Sequence, residues 1–378
     1  MSKLSFIWYR VIGAFFRCLP INDNCILIEN FFGRGFGDNP KYIAEELIRR
    51  FGNKVKIIWL VKKNSYKDIP EQIIQVKRRS LAGLYYLSTS KIWIDNARKH
   101  YGVKKRKNQF YIQTWHGGIA VKKIEKDCID LLSKDYVKCA INDSKMIDLL
   151  LVNNKKFENI FLDNFWYKGK LLEIGSPRTD CFFEDVNEGE LKTKLGFKKD
   201  VHLILYAPTF RENNTVDVYN LDYEKVLKAF SDKYAGNWEL IIRLHPNISY
   251  LQDNIEYTDS ILNGSNYSDI NELIKVSDFL ITDYSSCMFD AMFAKKNVLL
   301  YAADEEEYNR SRGVYLQSKD LPFALGKTTD EFIKIINQFN KNEYDQRVTQ
   351  FLKEIGSFEK GTASIEVVNR IQEVIGIS

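Results

Sequence analysis

Four short apolar runs in this chain each stop at a compact polar cluster, and that repeated junction restricts the fold more than any other feature of the sequence. They are FYIQT before Trp115-His116-Gly117-Gly118, LILYA before Pro208-Thr209-Phe210-Arg211, LIIRL before His245-Pro246, and FLI before Thr282-Asp283-Tyr284-Ser285-Ser286. Short apolar runs closed by polar turn residues read as strands. Strands alternating with helices build a mainly parallel sheet with helices on its faces, and ligands of such sheets bind outside the carboxyl ends of the strands. Any one cluster also fits capping or turn chemistry; together, with Arg243 beside His245, they describe a pocket for an anion.

A chain of 378 residues suggests two domains, each able to bury its own core, and 45% hydrophobic with 13% aromatic residues fits a globular protein. The predicted strands of the first domain are Cys25–Glu29, Val55–Val61, Ile73–Val76, Ile92–Asp95, Phe110–Thr114, Val137–Ile141 and Ile160–Leu162, with helices at Lys41–Phe51, Ser80–Ser88 and Ser144–Leu151. The second domain takes His202–Tyr206, Glu239–Leu244, Phe279–Thr282 and Val298–Tyr301, a helix at Ser286–Ala294, and a helical stretch from Thr329 to Ile375. This places the domains at 21–183 and 184–378, behind an amphipathic helix in residues 1–20. Its Trp8, Phe15, Phe16, Arg10 and Arg17 suit an anionic membrane surface, or packing on the protein's own core. No stretch of eighteen apolar residues predicts a membrane span, and no cleavable leader is expected.

Six cysteines without a CxxC pair or zinc-like spacing fit a reduced, cytosolic setting. The formal net charge of +5 is modest, so a general polyanion-binding role is not implied. Arg98, Lys99, Lys104, Lys105, Arg106 and Lys107 form a local basic cluster. A nucleic-acid surface there would need interleaved aromatics, of which only Tyr101 is present, so nucleic acid is not expected as a partner. The cluster, with Arg34 of the loop Gly33-Arg34-Gly35-Phe36-Gly37, is assigned to an anionic membrane or a polyprenyl-diphosphate acceptor. That loop is either a phosphate cradle or an ordinary strand-to-helix turn; it does not match GxGxxG.

His116, just past a strand end with two glycines behind it, is either a proton-accepting imidazole or a hydrogen-bonded loop histidine. Ser285 and Ser286 stand where a strand passes into a helix, a place suited to phosphate, with plain N-capping as the alternative. Asp290, four residues on, matches a ribose or polyol hydroxyl better than a phosphate.

WHG followed by a Lys pair, GSPRTD, YAPTFR, RLHP, ITDYSSCMFD and the late Tyr308, Arg312 and Gly313 occur in an order that resembles the CDP-glycerol glycerophosphotransferase family, the teichoic-acid and capsule polyol-phosphate transferases. The resemblance covers about residues 25–370. It implies a GT-B-like fold, two Rossmann-like domains facing across a cleft, with no bound metal and no cofactor. It further implies His116 as catalytic base toward the acceptor, His245 as a second catalytic group, and a donor site of Gly117, Gly118, Arg178, Thr209, Phe210, Arg211, Arg243, Leu244, His245, Ser285, Ser286 and Asp290. The donor would be CDP-glycerol or CDP-ribitol, the acceptor lipid-linked, and the enzyme peripheral on the cytoplasmic face of the cell membrane. One departure is Gly118-Ile119-Ala120-Val121 before Lys122, where many relatives carry Thr-Pro-Leu. A nucleotide-sugar glycosyltransferase or epimerase of the same fold, and a membrane or nucleic-acid binding module, are the competing readings.

Overall fold

Parallel strands buried on both faces read as continuous apolar runs, and the computed structural model places such runs at the centre of two sheets. It describes residues 11–62, 66–100, 102–209, 211, 221–244, 252 and 255–377. The first sheet holds β1 (Asn22–Glu29), β2 (Lys56–Val61), β3 (Ile74–Lys77), β4 (Ser90–Asp95), β5 (Phe110–Gln113), β6 (Leu149–Val152) and β7 (Lys170–Glu173), in the order β3-β2-β1-β4-β5-β6-β7. The second holds β8 (His202–Tyr206), β9 (Trp238–Ile242), β10 (Ile261–Asn263), β11 (Phe279–Thr282), β12 (Asn297–Tyr301) and β13 (Ala324–Gly326), in the order β10-β9-β8-β11-β12-β13. Every pairing is parallel. Each sheet thus reverses its strand order once, at β1/β4 and at β8/β11, as doubly wound nucleotide-binding sheets do. Two such units in one chain make the GT-B-like fold that the sequence leads one to expect.

The units comprise residues 1–118, 124–181 and 357–378, and residues 119–123 and 182–356. The second unit takes up the chain at Phe182, and the last helix belongs to the first. Ala363–Ile375 returns to the first unit, where Val367, Val368 and Ile371 join Ile43, Leu47 and Trp59 in the core. Three expectations are corrected. Val137–Ile141 lies in a helix, Lys134–Ser144, capped by Ser133, whose hydroxyl accepts from the Tyr136 N–H. Ile160–Leu162 lies in the helix Glu158–Asn164, because Phe157, Phe161 and Phe165 recur every fourth residue and bury one helical face. Leu149–Leu151, expected at the end of a helix, is strand β6, buried throughout.

At the chain's start, residues 11–16 are helical, and the preceding ten lie outside the described residues. One face packs on the helix Leu81–Thr89, with Phe16 edge-on to Tyr85 at 5.6 Å. The other leaves Val11 56% and Phe15 65% exposed. Packing and the exposed apolar edge therefore fall on different faces of this helix.

Ile371→Ala should lower the unfolding free energy of the first unit by about 2–5 kcal/mol, the usual cost of emptying an aliphatic core position. A urea titration reads this directly, and an unshifted midpoint would remove the last helix from that core.

Candidate active site

Where the strand order reverses, the loops leaving two neighbouring strands diverge and open a crevice. In the first unit those loops begin with Asn30-Phe31 after β1 and Asn96 after β4. The two asparagines interlock: Asn96 Nδ2 donates to Asn30 Oδ1 at 2.8 Å, and the Phe31 N–H donates to Asn96 Oδ1 at 2.9 Å. β5 delivers Trp115 and His116 beside them. His116 Nδ1 lies 2.7 Å from the Asn96 carbonyl oxygen. A carbonyl only accepts, so the hydrogen sits on Nδ1 and Nε2 keeps its lone pair.

The imidazole lies between Trp115, stacked at 4.3 Å and 30°, and Phe31 at 5.2 Å. Both flanking residues hold positive φ, +52° at Trp115 and +38° at Phe31. Such backbone costs about 1–3 kcal/mol per residue and gathers at functional sites. Burial holds the His116 pKa below the ordinary imidazole value and the Arg178 cation adds to this, while the Asn96 bond and Asp38 oppose it. A neutral imidazole with a free Nε2 at neutral pH is the form a general base requires.

Three carbonyls of the turn after β5 are each gripped by a side chain. Asn39 Nδ2 donates to Trp115 O at 2.9 Å, Arg178 to His116 O at 2.6 Å, and Asn154 Nδ2 to Gly118 O at 2.9 Å. Arg178 also pairs with Asp38 at 3.0 Å. It thus stands with His116, Gly117 and Gly118 in the first unit, its charge met by a carboxylate. A Cβ at Gly118 would fall 2.0 Å from the Asn153 carboxamide, so this glycine is required by close approach. The segment that departs from the family pattern follows at once. Ile119, Ala120 and Val121 are buried, and Lys122 forms an antiparallel bridge with Val314 inside the second unit.

In the second unit, Asp283 after β11 organises the reversal point. Its carboxylate accepts from the Thr209 N–H at 2.9 Å and the Tyr284 N–H at 2.6 Å, and pairs with Arg211 at 2.9 Å. Asp304 takes Arg211 from the other side at 2.6 Å, and Tyr284 and Tyr308, stacked at 3.7 Å, lie against the guanidinium. Two carboxylates raise the Arg211 pKa despite its burial. Arg243, one strand over, differs. Its guanidinium donates to the carbonyls of Gly264, at 3.2 Å, and Tyr267, and among the described residues it has no carboxylate partner. Burial therefore lowers its pKa, with Asp269 only partly opposing. A half-buried cation without a counter-ion is a place for an anion.

Leu244 shares that strand end, its N–H donating to Ser265 Oγ at 3.1 Å. Ser286 stands at the N-cap of the helix Cys287–Phe293 but makes no capping hydrogen bond, so plain capping does not occupy its hydroxyl. Ser285 is half-exposed beside it. Asp290, expected at a polyol hydroxyl, is only 5% exposed. His245 and Phe210 lie outside the described residues.

The basic cluster is largely internal. Arg98 pairs with Glu125 at 3.0 Å and Asp143 at 3.3 Å, Lys99 with Asp95 at 2.7 Å, and Lys105 with Asp148. Arg106 donates to Leu19 O at 2.7 Å and Ser88 O at 3.1 Å. Only Lys104 and Lys107 of the six are exposed, as is Arg34. The loop carrying Arg34 is a strand-to-helix turn in which Gly33, at φ +82°, would place a Cβ 2.7 Å from the Lys62 nitrogen. Among the described residues no group of three or more His, Cys, Asp or Glu is arranged to hold a metal ion. Asn30, Asn96, Asp38, Asn39 and Asp304 were not singled out from the sequence, although each of the first four closely follows a strand or opens a helix, where a polar side chain at a sheet edge is a usable signal.

Gly118→Ala forces a methyl group onto the Asn153 amide, and overpacking of this kind costs about 1–3 kcal/mol. Its urea midpoint should fall accordingly; an unchanged midpoint would show that the turn has room.

The model of the family described as CDP-glycerol:poly(glycerophosphate) glycerophosphotransferase matches residues 12–373. A teichoic acid poly(glycerol phosphate) polymerase of Bacillus spizizenii is 33% identical over 390 residues, covering 98% of this chain and 96% of that one. A teichoic acid glycerol-phosphate transferase of Staphylococcus aureus is 31% identical, covering 93% of each. A structure of the wall teichoic acid polymerase TagF superposes with a TM-score of 0.86 at 27% identity, over 97% of this chain and 94% of that one. A matching family model across nearly the whole length and two relatives above 30% identity lead to one conclusion: the chain belongs to the CDP-glycerol:poly(glycerophosphate) glycerophosphotransferase family.

Proposed function

We propose that this chain is a CDP-glycerol glycerophosphotransferase that moves glycerol phosphate to a hydroxyl of a lipid-linked acceptor in teichoic acid or capsular polymer synthesis and releases CMP. The observation that carries the reading is the fixed tautomer of His116, whose Nδ1–H is committed to Asn96 O at 2.7 Å and whose Nε2 is left basic. Crystals of TagF soaked with CDPG belong to a protein of the same fold, at a TM-score of 0.84.

In this mechanism Nε2 of His116 takes the proton of the acceptor hydroxyl. The resulting oxygen attacks the phosphorus that bears glycerol, a new P–O bond forms there, and the bridging P–O bond breaks with its electron pair leaving on CMP. Charge builds on the phosphoryl oxygens and on the leaving group, and cations with helix N–H groups stabilise it. Arg243 is suited to that task because no carboxylate neutralises it among the described residues, whereas Arg211 already serves Asp283 and Asp304. Arg211 then acts by shaping the Thr209 turn. The exposed Val11 and Phe15 support a peripheral attachment to the cytoplasmic face of an anionic membrane. No helix among the described residues is long and apolar enough to cross one.

His116→Ala should lose about 10²–10⁴ in turnover while still binding CDP-glycerol by calorimetry; near-normal CMP release with a polyprenyl-diphosphate-linked acceptor would overturn the role. Because burial lowers the His116 pKa, the acid limb of kcat/KM should fall below the free-imidazole value of 6.5, activity being lost as pH drops through it. Arg243→Ala should weaken donor binding by about 1.5–3 kcal/mol, the worth of a charge-assisted contact, and titrating CDP-glycerol against CDP-ribitol in the same assay identifies the polyol. Removing residues 1–21 should abolish cosedimentation with vesicles containing phosphatidylglycerol; undiminished binding would rule out that helix as the anchor.

A further inference from the structure

The turn that carries His116 depends on Asn154 and Arg178, and both lean on a residue from the far end of the chain. Glu359 keeps an edge at the surface, but its carboxyl group faces inward. Oε1 accepts from Asn153 Nδ2 at 3.1 Å, the Ser176 N–H is shared between Oε1 at 3.1 Å and Oε2 at 3.0 Å, and Oε2 lies 2.5 Å from Thr179 Oγ1. Asn153 adjoins Asn154 and accepts from it at 2.7 Å, and Asn154 holds Gly118 O. Ser176 and Thr179 bracket Arg178, which holds His116 O. Gly175, at φ +93°, leaves space for this contact, since a Cβ there would lie 2.6 Å from Glu359 Oε2.

Thr179 has one hydroxyl hydrogen and two oxygen neighbours within bonding distance, Ser176 O at 2.7 Å and Glu359 Oε2 at 2.5 Å. Both contacts are hydrogen bonds only if one neighbour supplies a hydrogen, and a carbonyl has none. A neutral Glu359 supplies it: its Oε2–H donates to Thr179, Thr179 donates to Ser176 O, and Oε1 still accepts from Asn153 and Ser176. An ionised Glu359 draws the Thr179 hydrogen to itself and strips Ser176 O of that bond.

We propose that Glu359 is a positioning residue for the transfer reaction, a carboxylic acid that in its neutral form locks Asn153, Ser176 and Thr179 and so fixes two of the three side chains holding the His116 turn. The proposal rests on His116 being the base. Burial pushes the Glu359 pKa up to about 7 against the lowering effect of its bonds with Thr179, Ser176 and Asn153, so the hydrogen exchange falls near neutral pH. The groups facing it from the end of β6 and from the turn are uncharged. The turn's own charges point elsewhere, Arg178 to Asp38 and Asp180 to the N–H groups of Ala363 and Ser364, and Lys360 is exposed.

Turnover–pH profiles of the full chain with CDP-glycerol and a polyprenyl-diphosphate-linked acceptor test this in four proteins: the unaltered chain, Glu359→Gln, Glu359→Ala and His116→Ala. The unaltered chain should lose turnover as pH rises past about 7. Glu359→Gln, whose amide donates to Thr179 and accepts from Asn153 as the neutral acid does, should keep turnover and lose that alkaline limb. Glu359→Ala should lower kcat about 100-fold, as loosened positioning does, with the donor KM unchanged. An unaltered alkaline limb in Glu359→Gln overturns the proposal, even if Glu359→Ala fails to fold. If His116→Ala is inactive while the Glu359→Gln profile is unchanged, only the role of Glu359 falls; if His116→Ala keeps full turnover, the reading of the base falls and this proposal with it.

Discussion

The hydrogen bond from His116 Nδ1 to the Asn96 carbonyl is the constraint that sets the chemical form of the imidazole at the first reversal point. It exists because β4 and β5 are adjacent parallel strands, with Asp95 paired to Gln113, so that the residues just past both strand ends are neighbours. A carboxylate in place of the carbonyl would raise the imidazole's basicity and favour its charged form. A carbonyl fixes the tautomer and raises the pKa less than burial lowers it. The strained backbone at Phe31 and Trp115 supplies that burial by turning two aromatic rings onto the imidazole, and the turn's carbonyls are gripped from three directions to keep it there.

The two sheets repeat one solution with different chemistry at the reversal point. In the first, amide side chains dominate: Asn30 and Asn96 interlock, and Asn39 and Asn154 hold the turn. Amides donate and accept without adding charge, which leaves the imidazole neutral. In the second, charges dominate. Asp283 and Asp304 hold Arg211 between them, and the three side chains form a rigid knot with one carboxylate in excess, beside which Arg243 keeps its positive charge unmatched among the described residues. Breaking a buried pair by removing one partner costs about 3–5 kcal/mol, so the knot serves better as scaffold than as a ligand contact.

Much of this architecture was legible because apolar runs such as β8, β9 and β11 end in polar clusters at fixed points. Legibility failed where local pattern and tertiary context diverge. Val137, Ala140 and Ile141 have strand-like composition, yet the Ser133 cap and the burial of Ala140 and Asp143 make the segment helical. Leu149–Leu151 is apolar without alternation, and only pairing with β5 and β7 distinguishes it from a buried helix turn. The candidate base was readable at a strand end beside two glycines. The difference between Arg211 and Arg243 was not, since both follow strands; it arises from Asp304, 93 residues beyond Arg211. Glu359 carries no local signal at all, because the groups it binds lie 180 or more residues earlier.

The basic stretch from Arg98 to Lys107 shows how a charge count misleads when burial is unknown. Six cations in ten positions suggest a surface for an anionic partner. Yet Arg98 lies over the Phe165 ring at 4.5 Å and between Glu125 and Asp143, while Lys99 sits against Asp95 and the ring of Trp93. Desolvated cations are tolerated there because carboxylates and aromatic faces replace water. Arg98 also lies 5.4 Å from the ring of Trp115, so the buried network underpins the wall against which His116 stacks. Charge in this region therefore serves the shape of the imidazole's pocket before it serves any partner, and the electrostatics available to an anionic surface reduce, within the cluster, to Lys104 and Lys107.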